Sequence, residues 1–117
     1  MISIRGATTL NANSLDEIRN KTIELISEII NTNQLNIDDI NTMIFSCTED
    51  ITAAYPGAFV REYFEMNNIS IMHFNEMKVE NSIKLCVRVL ILSNEEKSLV
   101  KFVYLHKAKE LRKDLNK

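Results

Sequence analysis

Apolar residues recur along this chain in two rhythms. In ISIRGATT, residues 2–9, β-branched and small residues alternate, which predicts a strand; Gly6 inside it marks a bulge or a close approach of another backbone. Further on, Ile18, Thr22, Leu25, Ile26, Ile29 and Ile30 fall on one stripe at helical spacing, with the charges elsewhere. Ser14 and Glu17 have capping-box spacing just ahead of that stripe, so a helix is predicted over Leu15–Asn33. NIDDI predicts a short helical turn, and TMIFSCT, residues 42–48, a second strand. A loop then leads to a second helix starting near Pro56, because proline suits a first helical turn. ISIMHFNEM, KLCVRVLIL and VKFVYL are read as strands three, four and five, and KAKELRKDLNK as a charged tail.

The order strand, helix, strand, helix, strand, strand, strand implies an α/β or α+β layer built on a mixed sheet. The fourth strand sharpens this. Leu85, Val87, Val89 and Ile91 point to one face, and Cys86, Arg88, Leu90 and Leu92 to the other. Both faces are apolar, so both need cover. One long helix and one short one cover a single face of a five-stranded sheet. The other face calls for a partner, and self-association is the simplest source.

Arg88 is the exception inside this apolar run. A buried guanidinium costs several kcal/mol unless it is paired and hydrogen-bonded. Either it meets an internal carboxylate, with Glu76 at the end of the third strand the candidate, or it waits for an anion from outside.

Composition narrows the setting. The chain has 117 residues, which suits one domain over 1–117, and its net charge is −2, which gives no broad basic footprint for nucleic acid. A few cations in a cleft can still focus the potential on a small anion. No apolar stretch approaches bilayer-spanning length, and MISIRGATTLNAN lacks the pattern of a signal peptide, so a cytoplasmic protein is expected. Cys47 and Cys86 sit in apolar stretches at no metal-binding spacing and read as inert core thiols. No phosphate-cradling glycine loop, zinc spacing or evident Ser–His–Asp or Cys–His arrangement occurs, and His73 and His106 are isolated. Cations in or beside strands, Arg5, Arg61 and Arg88, with Arg112 in the tail, point instead to anion binding.

Taken in order, IRGATT (4–9), YPGAFVRE (55–62), NEM (75–77), CVRV (86–89), VYL (103–105) and LR (111–112) resemble the trimeric, monofunctional, bacillus-type chorismate mutases across nearly the whole chain. The resemblance implies an α+β fold, a mixed five-stranded sheet packed with helices. It implies that three such subunits close a pseudo-α/β-barrel homotrimer with active sites at the interfaces. The implied reaction is the rearrangement of the chorismate dianion to prephenate, in aromatic amino acid biosynthesis, with no cofactor and no metal. Residue by residue, Arg88 matches the arginine at the ether oxygen and one carboxylate. Arg5 matches the arginine at the other carboxylate region, and Glu76 the acid that accepts from the ring hydroxyl. Tyr104 matches a tyrosine on the side-chain carboxylate, Tyr55 an aromatic wall residue, and Arg61 the arginine near the pocket mouth. Leu111 and Arg112 match the tail that closes over the site.

The chain also departs from that pattern. Ala58 stands where the family has a basic residue near the entrance, which is expected to weaken capture of the dianion. His73 replaces a small donor upstream of the glutamate, and is expected to donate to the ring hydroxyl, to narrow the pocket, or to add a titration near neutral pH. Asn81–Ser82 replaces a glycine pair, and Lys113 follows Arg112 where a proline is common, leaving a less rigid tail. These changes motivate an alternative expectation: a catalytically weak trimer that binds an anionic metabolite or a partner protein.

Overall fold

In the computed structural model, which describes residues 1–115, the first helical stripe becomes a core. Helix α1 spans Leu15–Asn33, and Ile18, Thr22, Leu25, Ile26, Ile29 and Ile30 are all buried. The Ser14 hydroxyl accepts from the Glu17 N–H at 3.2 Å, while the Glu17 carboxylate accepts from the Asn11 N–H at 2.7 Å. Both ends of the capping box are therefore used, with Asn11 as the second donor. Gln34 ends the helix in the left-handed region at φ 51°.

The strands are β1 (Ile2–Thr9), β2 (Ile40–Cys47), β3 (Ser70–Asn75), β4 (Cys86–Ser93) and β5 (Val103–Tyr104), in the spatial order β3-β2-β4-β1-β5. β4 lies at the centre, antiparallel to both β1 and β2, while β2–β3 and β1–β5 pair in parallel. Helix α1 and the shorter α2 (Pro56–Tyr63) share one face of the sheet, burying Ile4, Met43, Phe45, Val87 and Ile91 beneath them. NIDDI forms the expected turn, a 3₁₀ helix over Ile37–Asp39, and the tail forms 3₁₀ turns over His106–Leu115 that break at Arg112. Asn116 and Lys117, the end of the charged tail read from the sequence, lie outside the described residues.

β2 runs over Ile40–Cys47 rather than 42–48, and three other strands differ from the sequence expectation for local reasons. β3 stops at Asn75 rather than running to Met77, because its partner β2 ends at Cys47; the Glu76 N–H on the Cys47 carbonyl at 2.8 Å is the last bond of the ladder. β4 starts at Cys86, since Leu85 is held in the left-handed region at φ 49°. β5 shrinks to two residues. The Asn33 side chain accepts from the Lys101 N–H at 2.7 Å and donates to the Lys101 carbonyl at 2.9 Å, doing there what a neighbouring strand would do.

Gly6 is a site of close approach. A Cβ there would lie 2.7 Å from Ile29 Cδ1 and 3.0 Å from the Val103 carbonyl oxygen, where β5 docks. Gly57, in the first turn of α2, is the second such site, with a Cβ falling 2.5 Å from Ile71 Cγ2 and 2.9 Å from the His73 ring. The His73 ring fills this space. It stacks on Phe45 at 5.3 Å between centroids, and its Nε2 accepts the Gly57 N–H at 2.9 Å. Tyr55, the residue before α2, offers no side-chain cap, so His73 supplies it from the sheet.

Two outcomes follow. Gly6→Ala is expected to destabilise the fold by about 1–3 kcal/mol, read by urea unfolding, because the Val103 backbone cannot move aside as a side-chain tip can. His73 is held below its ordinary value of 6.5, first by burial and then by the Arg61 charge. Its neutral form therefore stabilises the fold fully above about pH 6.5, and this contribution is lost as pH falls through that value towards the lower folded pKa. Melting temperature should drop between pH 7 and pH 5, and His73→Gln should flatten part of that drop.

Candidate active site

The sheet register sorts the charged residues. On the face away from the helices, Phe74, Ser46, Arg88, Ala7 and Tyr104 form one row across the five strands. Met72, Ile44, Leu90 and Arg5 form the next. Arg88 thus has a small side chain on either side, and Arg5 lies one row away on the adjacent strand. Arg5 is exposed, and among the described residues no ion pair holds it.

Arg88 and Glu76 meet only partly. Arg88 Nε lies 3.5 Å from Glu76 Oε1, with the two side chains 30% and 25% exposed. That distance permits attraction, yet Arg88 Nε is buried and makes no hydrogen bond among the described residues. The other carboxylate oxygen, Oε2, accepts from the Ser46 hydroxyl. Among the described residues the internal carboxylate is thus adjacent to Arg88, and the guanidinium Nε is not hydrogen-bonded to it.

Behind Arg88, its strand is pinned by a polar clasp that the sequence analysis did not single out. Asp50 Oδ2 accepts from the Leu85 N–H at 2.9 Å, and Thr48 Oγ1 accepts from the Cys86 N–H at 2.9 Å. The Leu85 carbonyl accepts from the Leu10 N–H at 2.8 Å. The clasp holds the non-glycine left-handed turn just before β4 and so fixes where Arg88 begins. Its sequence signal is the polar residues Ser46 and Thr48 in the otherwise apolar TMIFSCT, but their partners lie 30 and 38 residues away. The thiols nearby are suppressed by burial, Cys47 pushed up to about 12 and Cys86 to about 11, with Arg88 opposing the shift at Cys86.

The remaining residues divide between two places. Tyr104 is buried in a small cluster with Ala7, Cys86 and Ala108, against which Leu111 packs. The tail lies over this corner, anchored by the Lys107 N–H on Thr9 Oγ1 at 3.1 Å and by His106 Nε2 on Glu24 at 2.7 Å. Arg112 forks Asp114 at 3.2 and 3.0 Å and sits over the Phe102 ring. One corner of the far face is therefore covered by the chain's own tail, which the sequence analysis assigned wholly to a partner. The rest stays open: Met72 and Phe74 are 58% and 51% exposed, and Ile44, Leu90 and Leu92 are half-buried.

Tyr55, Ala58, Arg61 and His73 lie instead at the α2 end, on the helix side of the sheet. Tyr55 is exposed with its ring 5.1 Å from that of His73, and Arg61 is exposed on α2. His73 pairs in register with Phe45, so it points away from Arg88 and Glu76. With Nε2 accepting from Gly57, that nitrogen cannot donate to a ligand hydroxyl. A cleft of about 570 Å³ includes Tyr55, His73 and Phe74, and one of about 700 Å³ includes Glu76, Asp50 and Lys84. Neither contains Arg88, Arg5 or Tyr104.

Among the described residues, no group of three or more His, Cys, Asp or Glu is placed to hold a metal, and no helix is long and apolar enough to cross a membrane. Comparison with known proteins settles the family. The family model for chorismate mutase type I matches residues 1–115. The chain is similar to chorismate mutase AroH of Bacillus subtilis (strain 168), 34% identical over 115 residues, 97% of this chain and 91% of that protein. It is 32% identical over 115 residues to chorismate mutase AroH of Thermus thermophilus, covering 96% and 93% of the two chains. A chorismate mutase from Clostridium thermocellum superposes with a TM-score of 0.89 at 38% identity, covering 94% of this chain and 99% of that one. With its sheet, helices and the length of its sequence all matched, the chain belongs to the chorismate mutase type I family.

Proposed function

We propose that this chain, acting as a single domain, rearranges chorismate to prephenate and does so as a cytoplasmic homotrimer with its sites between subunits. The observation that carries the reading is Arg88, a guanidinium on a central strand with a carboxylate beside it and, among the described residues, no hydrogen bond at its buried Nε. Chorismate mutase relatives over the full length support the reaction.

The reaction explains why such a site suffices. The rearrangement is pericyclic: the ether C–O bond breaks as a C–C bond forms, and no proton transfer or nucleophile is required. Negative charge grows on the ether oxygen in the transition state, and a fixed cation there stabilises that state more than the bound substrate. In the proposed site, Arg88 serves this oxygen and one carboxylate, and Arg5 the other carboxylate region. Glu76 accepts from the ring hydroxyl. Tyr104 meets the side-chain carboxylate, and Leu111 and Arg112 close over it. Holding both carboxylates keeps the enolpyruvyl arm over the ring and lowers the entropic part of the barrier.

Trimer formation is supported by the split in the site. Tyr55 and Arg61 stand at the α2 end on the helix side, while Arg88, Arg5 and Tyr104 stand on the opposite face. One substrate cannot touch both sets in one chain. A neighbour docking its α2 end against this open face would bring an aromatic wall and a third arginine to Arg88, and would cover Met72 and Phe74. His73 enters the site in this reading only by holding the first turn of α2, and thereby Tyr55.

The reading is tested by following the loss of chorismate absorbance with purified protein, with Arg88→Ala beside it. Removing one preorganised donor costs roughly 3–4 kcal/mol in the transition state, so Arg88→Ala should lower turnover by at least about 10³-fold with the fold intact. Arg88→Lys should fail as well, because an ammonium cannot reproduce the planar fork. Near-normal turnover in Arg88→Ala removes Arg88 from the chemistry, and near-normal turnover in Arg88→Lys removes the need for the fork. Sedimentation of the wild-type protein as a monomer would remove the shared site.

A further inference from the structure

A guanidinium 3.5 Å from a carboxylate in a half-buried site should close the gap and form a forked pair. Here it does not, and the reason lies on the neighbouring strand. Ser46 sits directly beside Arg88 in the β2–β4 register, on the same face. Its hydroxyl donates to Glu76 Oε2. The Glu76 backbone is fixed too, its N–H donating to the Cys47 carbonyl at 2.8 Å. Glu76 is thus tied to β2 twice, by main chain and by side chain, and only Oε1 is left towards Arg88.

We propose that Ser46 is a positioning residue for the reaction, holding the Glu76 carboxylate off Arg88 so that the guanidinium stays available to the incoming dianion. The proposal rests on the reading of Arg88 as the cation at the ether oxygen. Without the Ser46 hydroxyl, Glu76 Oε2 loses its donor in a partly buried site, and the nearest replacement donor is the guanidinium. The carboxylate rotates onto Arg88 and neutralises it before substrate arrives. Substrate must then displace an internal anion, and the cation is less free to follow charge growing on the ether oxygen.

Ser46 touches no substrate in this scheme, so its effect runs through Glu76, and three measurements separate that from a structural role. Ser46→Ala should lower kcat/KM by about 10- to 100-fold, with the larger share in a raised KM, because the dianion must displace the internal carboxylate before it is bound. Ser46→Thr, which keeps the hydroxyl, should recover most of the loss. In a Glu76→Gln background, where no anion can collapse onto Arg88, Ser46→Ala should cost less than about threefold, because residues acting through one another are not additive.

The decisive reading does not depend on turnover. The Nε–H resonance of Arg88, followed by nitrogen–proton correlation in the ligand-free protein, should move downfield in Ser46→Ala as the ion pair closes, and should stay near the wild-type position in Ser46→Thr. An unchanged resonance in Ser46→Ala overturns the proposal whatever the kinetics. So do losses that multiply in the double variant. Failure of the wild-type protein to convert chorismate would instead strike the functional reading, and the resonance would still decide what Ser46 does.

Discussion

The structure is organised around keeping one cation half-engaged in the middle of a sheet. β4 is the central strand, and its helix-side residues Val87, Val89 and Ile91 are buried in the main core. That packing fixes the strand, and by alternation it aims Arg88 at the opposite face. Ser46 and Ala7 flank Arg88 in register, and both are small enough to leave the guanidinium room. The Thr48–Asp50 clasp sets the start of the strand, and the Ser46 hydroxyl holds the nearest acid. Arg88 is thereby held on the open face, 3.5 Å from Glu76, with no hydrogen bond at its buried Nε among the described residues.

Much of the scaffold was legible because it is local. The α1 stripe and its cap are governed by spacings of three and four residues, and the observed helix has the expected ends. Gly6 is a close approach, as a mid-strand glycine suggested, because α1 and β5 both crowd its Cα. The two-faced character of β4 was also readable, and so was the need to cover both faces. Its resolution differed in part: the tail supplies cover at the Ala7–Tyr104 corner, which hydrophobic pattern could not foresee in a segment as charged as KAKELRKDLNK.

What stayed hidden depends on contacts distant in sequence. β5 was read as six residues, but the Asn33 side chain, from the end of α1, takes the place of a strand partner at Lys101. Ser46, Thr48 and Asp50 looked like ordinary strand-end polar residues until β4 came alongside. His73 is a different case. It lies three positions before Glu76, and alternation along an extended strand puts positions at odd spacing on opposite faces. The resemblance drew both into one list, while the register sets His73 beside Phe45 and Glu76 reaches Ser46 and Arg88 on the opposite face.

The fit between His73 and Gly57 carries a consequence for how this sequence can vary. The imidazole occupies the volume that any side chain at position 57 would need, and it caps the helix whose first turn contains that position. A residue larger than glycine at 57 is admissible only if both 71 and 73 give way, and a smaller residue at 73 leaves a void and takes the acceptor from the Gly57 N–H. Variation at 57 is therefore conditional on two neighbours at once, and no single compensating exchange restores both the packing and the cap.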